Sequence, residues 1–201
     1  MNIAIYSGSF NPLHIGHLAI IKYMIEEAGF DMVYLLVSPK NPLKNGICAA
    51  TGPDRYNAAV EAVNRHFGTG KVSEAESGDN MPSLARVLVD DIELNMPEPH
   101  YTVRTLRALK EREPENLFTF VMGADNLADI RRWREYTTIL KDFGVAVFPR
   151  TGHELTKIKQ DLLNEDPAYK IQILDAPLVD ISSTEIRTAL ANNEDVSHLM
   201  M

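Results

Sequence analysis

Apolar residues in this chain come in short continuous runs, separated by stretches with a period of three to four. The runs cover residues 2–7, 32–38, 87–94, 117–122, 144–148 and 170–174. Such near-continuous apolar content is what strands buried on both faces require. Between the runs the spacing turns helical. Leu18, Ile21, Met24, Ile25 and Ala28 fall on one helix face, as do Tyr56, Ala59, Val60, Val63 and Phe67. Leu106 with Leu109, and Leu155 with Ile158 and Leu162, repeat the pattern more briefly. Strands alternating with helices predict an α/β fold, a Rossmann-like, doubly wound and mostly parallel sheet with helices on both faces. Such sheets take ligands beyond the carboxyl ends of their strands, so a motif directly after a strand carries extra weight.

The first run leads into Gly8-Ser9-Phe10-Asn11-Pro12-Leu13-His14-Ile15-Gly16-His17. Gly8 ends a strand where the backbone must turn tightly or approach a ligand. Gly16 removes side-chain bulk at the start of a helix, whose free N–H groups form an anion site. His14 and His17 could then donate hydrogen bonds to a phosphate. Alone, the pair reads at least as readily as capping or surface residues. A metal site would need neighbouring Cys, Asp or Glu ligands, which are missing. The stretch matches neither the dinucleotide G-x-G-x-x-G nor a Walker A loop. A second motif is Ile181-Ser182-Ser183-Thr184-Glu185-Ile186-Arg187. Ser182 and Glu185 make a capping box. Capping does not call for three successive hydroxyls with an arginine one turn on, and Ser183, Thr184 and Arg187 would form a second anion cradle.

Composition narrows the setting. The 201 residues are 45% hydrophobic and 24% charged, sufficient for one domain spanning 1–201 with a real core. Twenty-eight acidic against twenty basic residues give a net charge of −8, which argues against nucleic-acid or anionic-membrane partners while allowing a local anion site. The single cysteine, Cys48, excludes an internal disulfide framework. No basic-then-apolar leader opens the chain, and no apolar run approaches the length of a bilayer span. The expectation is a soluble cytoplasmic protein. Residues 68–82 read as a long loop, and none of these patterns specifies an oligomeric state.

Taken together, the two motifs resemble the nucleotidylyltransferase superfamily, marked by an H-x-G-H element after strand one and an I-S-S-T-x-x-R element near the C-terminus. The closer resemblance is to the bacterial nicotinate-nucleotide adenylyltransferases. It rests on Tyr101-Thr102-Val103-Arg104-Thr105-Leu106, on Gly123-Ala124-Asp125 followed by Trp133, and on Pro39, Pro42 and Lys44 beyond strand two. The likeness runs from about residue 2 to 190, in family order. It implies transfer of the adenylyl group of ATP to nicotinate mononucleotide, with Mg²⁺ entering as MgATP and no protein ligand named for it. By the same resemblance His14 and His17 contact the ATP phosphates, and Ser183, Thr184 and Arg187 hold the β- and γ-phosphates beside Ile181 and Ser182. Lys44 bridges the phosphates of the two substrates. Gly8, Ser9 and Phe10 shape the floor, Gly123 and Asp125 take the ribose, and Trp133 stacks on the pyridine with Thr102 nearby. Trp133 reads alternatively as a core anchor and Asp125 as a helix cap.

Arg104 and Arg134 depart from the family pattern near the expected pyridine pocket, where nicotinate and nicotinamide forms are told apart. Three other readings compete. One is a superfamily member acting on nicotinamide mononucleotide or pantetheine phosphate. Another is a class I aminoacyl-tRNA synthetase fragment, which would need a Lys-Met-Ser-Lys-Ser-like loop that is absent. The last is a nucleotide sensor without turnover, against which the intact His14, His17 and Arg187 argue.

Overall fold

The computed structural model describes residues 1–39, 50–68, 86–176, 178 and 181–201. Lys44, Pro42, Cys48 and residues 69–82 of the predicted loop lie outside the described residues. Six strands form one sheet: β1 (Asn2–Gly8), β2 (Met32–Val37), β3 (Val87–Asp90), β4 (Leu117–Gly123), β5 (Val145–Phe148) and β6 (Ile171–Ile173). Their spatial order is β3-β2-β1-β4-β5-β6, and every neighbouring pair is parallel. Ile5 of β1 stands opposite Tyr34 of β2 and Phe120 of β4. The chain winds outward one way from β1 to β3 and the other way from β4 to β6. The carboxyl ends of β1 and β4 therefore flank the switch point where such sheets hold ligands.

All six predicted strands are present; four are shorter than their apolar runs, three by one or two residues and that at 87–94 by four. The apolar run 87–94 leaves the sheet at Asp90, whose carboxylate accepts the Ile92 N–H at 2.9 Å and turns the chain into a short helix, α3 (Ile92–Asn95). The Asp90-Asp91 pair interrupts the strand because aspartate side chains compete for backbone N–H groups.

The remaining longer helices are α1 (Ile15–Glu26), α2 (Gly52–Phe67), α4 (Thr102–Arg112), α7 (Leu155–Glu165) and α8 (Ser183–Ala191), with short α5 (Ala124–Ala128) and α6 (Tyr136–Thr138) between β4 and β5. Alternate strand residues feed two cores. Ile3, Ile5, Tyr34 and Leu36 pack with Val103, Leu106 and Leu109 of α4 and with Leu155 and Leu162 of α7. Ala4, Tyr6, Val33, Leu35 and Val37 pack on the opposite face with Ile20, Ile21 and Met24 of α1 and Ala59, Val60 and Val63 of α2. Among the described residues no helix is long and apolar enough to cross a membrane.

Candidate active site

A cavity of about 690 Å³ opens over the carboxyl ends of β1 and β4. Its floor begins where β1 ends. A Cβ on Gly8 would lie 3.1 Å from the ring of Phe10, so glycine lets that ring fold back over the strand end. Phe10 is buried with φ +42°, a left-handed backbone that a bulky residue adopts only under surrounding constraint. Its ring packs edge-on against Tyr6 at 5.5 Å and His17 at 5.3 Å, while Phe148 packs on Tyr6 from β5. Gly8, Ser9 and Phe10 all line the cavity.

α1 starts directly after this loop. His14 is its N-cap residue, and its carbonyl accepts from the N–H groups of His17 and Leu18. In return the His14 N–H donates to His17 Nδ1 at 3.2 Å. That bond fixes the His17 proton on Nε2, the tautomer assigned from hydrogen bonding, and leaves Nε2–H as the donor. The two rings lie 3.7 Å apart, and both line the cavity with Gly16. His14 is 4% exposed, and its Nδ1 is buried without a partner among the described residues. Burial, then the nearby Arg150 guanidinium, lowers the His14 pKa to about 4. Burial, His14 and Arg150, in that order, lower that of His17 to about 3. Without ligand both imidazoles are neutral. Met200 bridges to His14 in antiparallel fashion and Met201 is buried, so residues 200–201 brace the loop from outside.

The second motif forms the facing wall. Ser182 caps α8: its Oγ accepts the Glu185 N–H at 3.2 Å, and the Glu185 carboxylate accepts the Ser182 N–H at 2.9 Å. Ser182, Ser183 and Thr184 line the cavity. Ser183 Oγ donates to the Pro12 carbonyl at 3.2 Å, and Arg187 donates to the Asn11 carbonyl at 2.8 Å and to Thr184 Oγ1 at 3.0 Å. Arg187 thus staples α8 to the histidine loop from behind. It is absent from the cavity lining, and Ile181 lines a second, shallower pocket beside Ile186 and Leu199.

β4 supplies the next wall. A Cβ on Gly123 would collide with Asp125 Oδ1 and lie 3.2 Å from both Arg150 Nε and the Phe148 ring, so only glycine fits unchanged. Asp125 and Asn126, in the first turn of α5, line the cavity beyond it. Trp133 is half-buried, packs edge-on against Phe120 at 5.8 Å and also lines the cavity, as does Thr102 at the start of α4. Arg104 and Arg134 do not. Arg104 donates to the carbonyls of Pro97 and Pro99, and exposed Arg134 sits 3.9 Å from Glu135.

Several residues around the site carry no motif. Glu93 is 6% exposed and accepts hydrogen bonds from Thr105 Oγ1 of α4 at 3.1 Å and from Ser7 Oγ at 3.4 Å. Burial raises its pKa. Arg55 is also 6% exposed and donates to the carbonyls of Ala50, Ser9 and Pro39 at 3.2, 2.6 and 2.8 Å. It thereby fastens the cavity floor to the residues on either side of 40–49, the stretch that contains Lys44. Arg55→Met leaves these carbonyls without their donor, and urea unfolding is expected to show a loss of about 2–4 kcal/mol. An unchanged midpoint would refute the clamp. Arg150 lines the cavity after β5, with Nε 3.7 Å from Asp125 Oδ1. The one signal for it in the sequence is its place just beyond the carboxyl end of a parallel strand.

A switch-point cavity walled by two helix N-termini and two neutral imidazoles defines a nucleotide-handling α/β protein. The family model of cytidylyltransferase-like proteins matches residues 5–189. A Flavobacterium johnsoniae protein named "Probable nicotinate-nucleotide adenylyltransferase" is 34% identical over 200 residues, covering 100% of this chain and 92% of that one. A Bacteroides fragilis protein of the same name is 36% identical, covering 98% and 85%. The chain belongs to the nicotinate-nucleotide adenylyltransferase family. The fold matches nicotinic acid mononucleotide adenylyltransferase of Plasmodium falciparum, solved with NaAD, at TM-score 0.70 and 20% identity over 98% of this chain and 87% of that one.

Proposed function

We propose that the protein joins the adenylyl group of ATP to nicotinate mononucleotide, giving deamido-NAD and pyrophosphate in NAD biosynthesis. The observation that carries this reading is the convergence on one cavity of His14, His17 and the Ser182–Thr184 helix start with Trp133 and Thr102. The first group suits phosphates and the second a flat heterocycle. Relatives at 34–36% identity named for this activity support it.

In the reaction a phosphate oxygen of the mononucleotide attacks the α-phosphorus of ATP. A P–O bond forms, the bond to the β-phosphate oxygen breaks, and pyrophosphate leaves with the electron pair. The nucleophile is already anionic, so no strong base is needed; positioning and stabilisation of spreading charge dominate. His17 Nε2–H donates to the reacting phosphate, with His14 beside it. The Ser183 and Thr184 hydroxyls and the free N–H groups of α8 hold the outer phosphates. Arg187 keeps that wall against the histidine loop through the Asn11 carbonyl and Thr184 Oγ1. Asp125 accepts from the ribose hydroxyls, and Trp133 covers the pyridine. Lys44 bridges the two substrates' phosphates. Among the described residues no cluster of three or more His, Cys, Asp or Glu is assembled. The hydroxyl and imidazole donors suit a triphosphate that brings Mg²⁺ with its own water shell, the ion offsetting phosphate charge.

Pyrophosphate release tests the substrate, with nicotinate mononucleotide, nicotinamide mononucleotide and pantetheine phosphate assayed side by side with MgATP. Nicotinate mononucleotide is expected to give the highest kcat/KM; preference for either other acceptor would displace this reading. Trp133→Ala is expected to weaken mononucleotide binding about 2- to 12-fold, in line with 0.5–1.5 kcal/mol for an aromatic contact, and to leave ATP binding nearly unchanged. Equal losses for both substrates would mean that Trp133 only packs on Phe120.

A further inference from the structure

A nucleoside triphosphate brings several negative charges into the cavity, yet among the described residues those of the motifs supply little positive charge there. His14 and His17 are neutral without ligand, and Arg187 bonds Asn11 and Thr184 outside the lining. Among the described lining residues Arg150 is the single lysine or arginine. Its side chain is half-exposed, and its guanidinium carbon lies 5.5 Å from the centre of the Phe148 ring. Asp125, its nearest carboxylate, is 3.7 Å away and similarly exposed, a pairing easily exchanged for a better anion. Gly123 keeps this corner open, since a Cβ there would press on Arg150, Asp125 and Phe148 together.

We infer that Arg150 is a polyphosphate-binding residue, whose guanidinium exchanges Asp125 for charge-assisted hydrogen bonds to the phosphates of the nucleotide and to the departing pyrophosphate. The forked geometry of guanidinium suits two phosphate oxygens at once. The inference rests on the adenylyltransferase reading, which it deepens by naming a cation for the phosphates within the described lining. Its field already reaches the two imidazoles, lowering both pKa values. Once Arg150 engages a phosphate, that field falls and the anion favours a proton on the histidines.

The test is titration calorimetry with inorganic pyrophosphate and, separately, nicotinate mononucleotide on the wild type, Arg150→Gln and Arg150→Lys. Arg150→Gln is expected to weaken pyrophosphate binding about 10- to 100-fold and mononucleotide binding far less, with melting temperature unchanged. Arg150→Lys is expected to recover part of the loss. If pyrophosphate binds the wild type and Arg150→Gln equally well, the inference fails and the adenylyltransferase reading stands. Equal losses for both ligands with a lowered melting temperature, unrelieved by lysine, would make Arg150 a structural partner of Asp125 and also overturn the inference. A wild type that binds neither pyrophosphate nor nicotinate mononucleotide would overturn the adenylyltransferase reading, and the inference with it.

Discussion

His17→Ala is expected to lower kcat about 10²–10³-fold, the loss typical of one donor aimed at developing transition-state charge, while the melting temperature moves by only a few degrees. The two effects separate because His17 contributes to folding and chemistry through different atoms. Its Nδ1 accepts the His14 N–H, one bond at the helix start, and its ring lies against Phe10. Its Nε2–H is the atom left for substrate. His17→Asn keeps a donor of shorter reach and is expected to fall between wild type and alanine. An alanine variant that unfolds while its folded fraction turns over normally would assign His17 to structure alone.

The second large effect is on stability against pH. Unfolded histidine titrates near 6.5, whereas folded His14 and His17 titrate near 4 and 3. Between pH 6.5 and 4 the unfolded chain binds protons that the folded chain refuses, so stability is complete above 6.5 and declines as pH falls through this window. At pH 5 the decline approaches about 2 kcal/mol for the buried His17 and is smaller for His14, where solvent screens part of the effect, together enough to lower a melting temperature by several degrees. The double variant His14→Gln/His17→Gln is expected to lose less stability between pH 7.5 and 5 than the wild type. Parallel urea-midpoint curves for the two proteins would contradict the neutral-pair assignment.

Much of this architecture was legible because it depends on local pattern. Continuous apolar runs marked all six strands, and the overreach at 87–94 came from Ile92 and Leu94, whose apolar character hid the turn set by Asp90. The Ser182–Glu185 capping box is local and formed as read. The joining of His14 to Ser183 through Pro12, and of Arg187 to Asn11, depends on contacts about 175 residues apart along the chain, which periodicity cannot report. Arg55, Glu93 and Arg150 escaped for a related reason. Lone charged residues resemble solvated surface until the fold buries two of them and turns the third into the cavity. Arg104 and Arg134, which the family pattern marked out near the pyridine, lie outside the lining, Arg104 on the carbonyls of Pro97 and Pro99 and Arg134 exposed to solvent.

Everything in the site serves attack of a mononucleotide phosphate on the α-phosphorus of ATP. It is tested most directly by supplying ATP labelled at the α-phosphorus with nicotinate mononucleotide and following the label. Label is expected in deamido-NAD, with unlabelled pyrophosphate in equal amount and no such product from His17→Ala on the same timescale. Label appearing in free AMP, or remaining in ATP while both substrates bind, would contradict it.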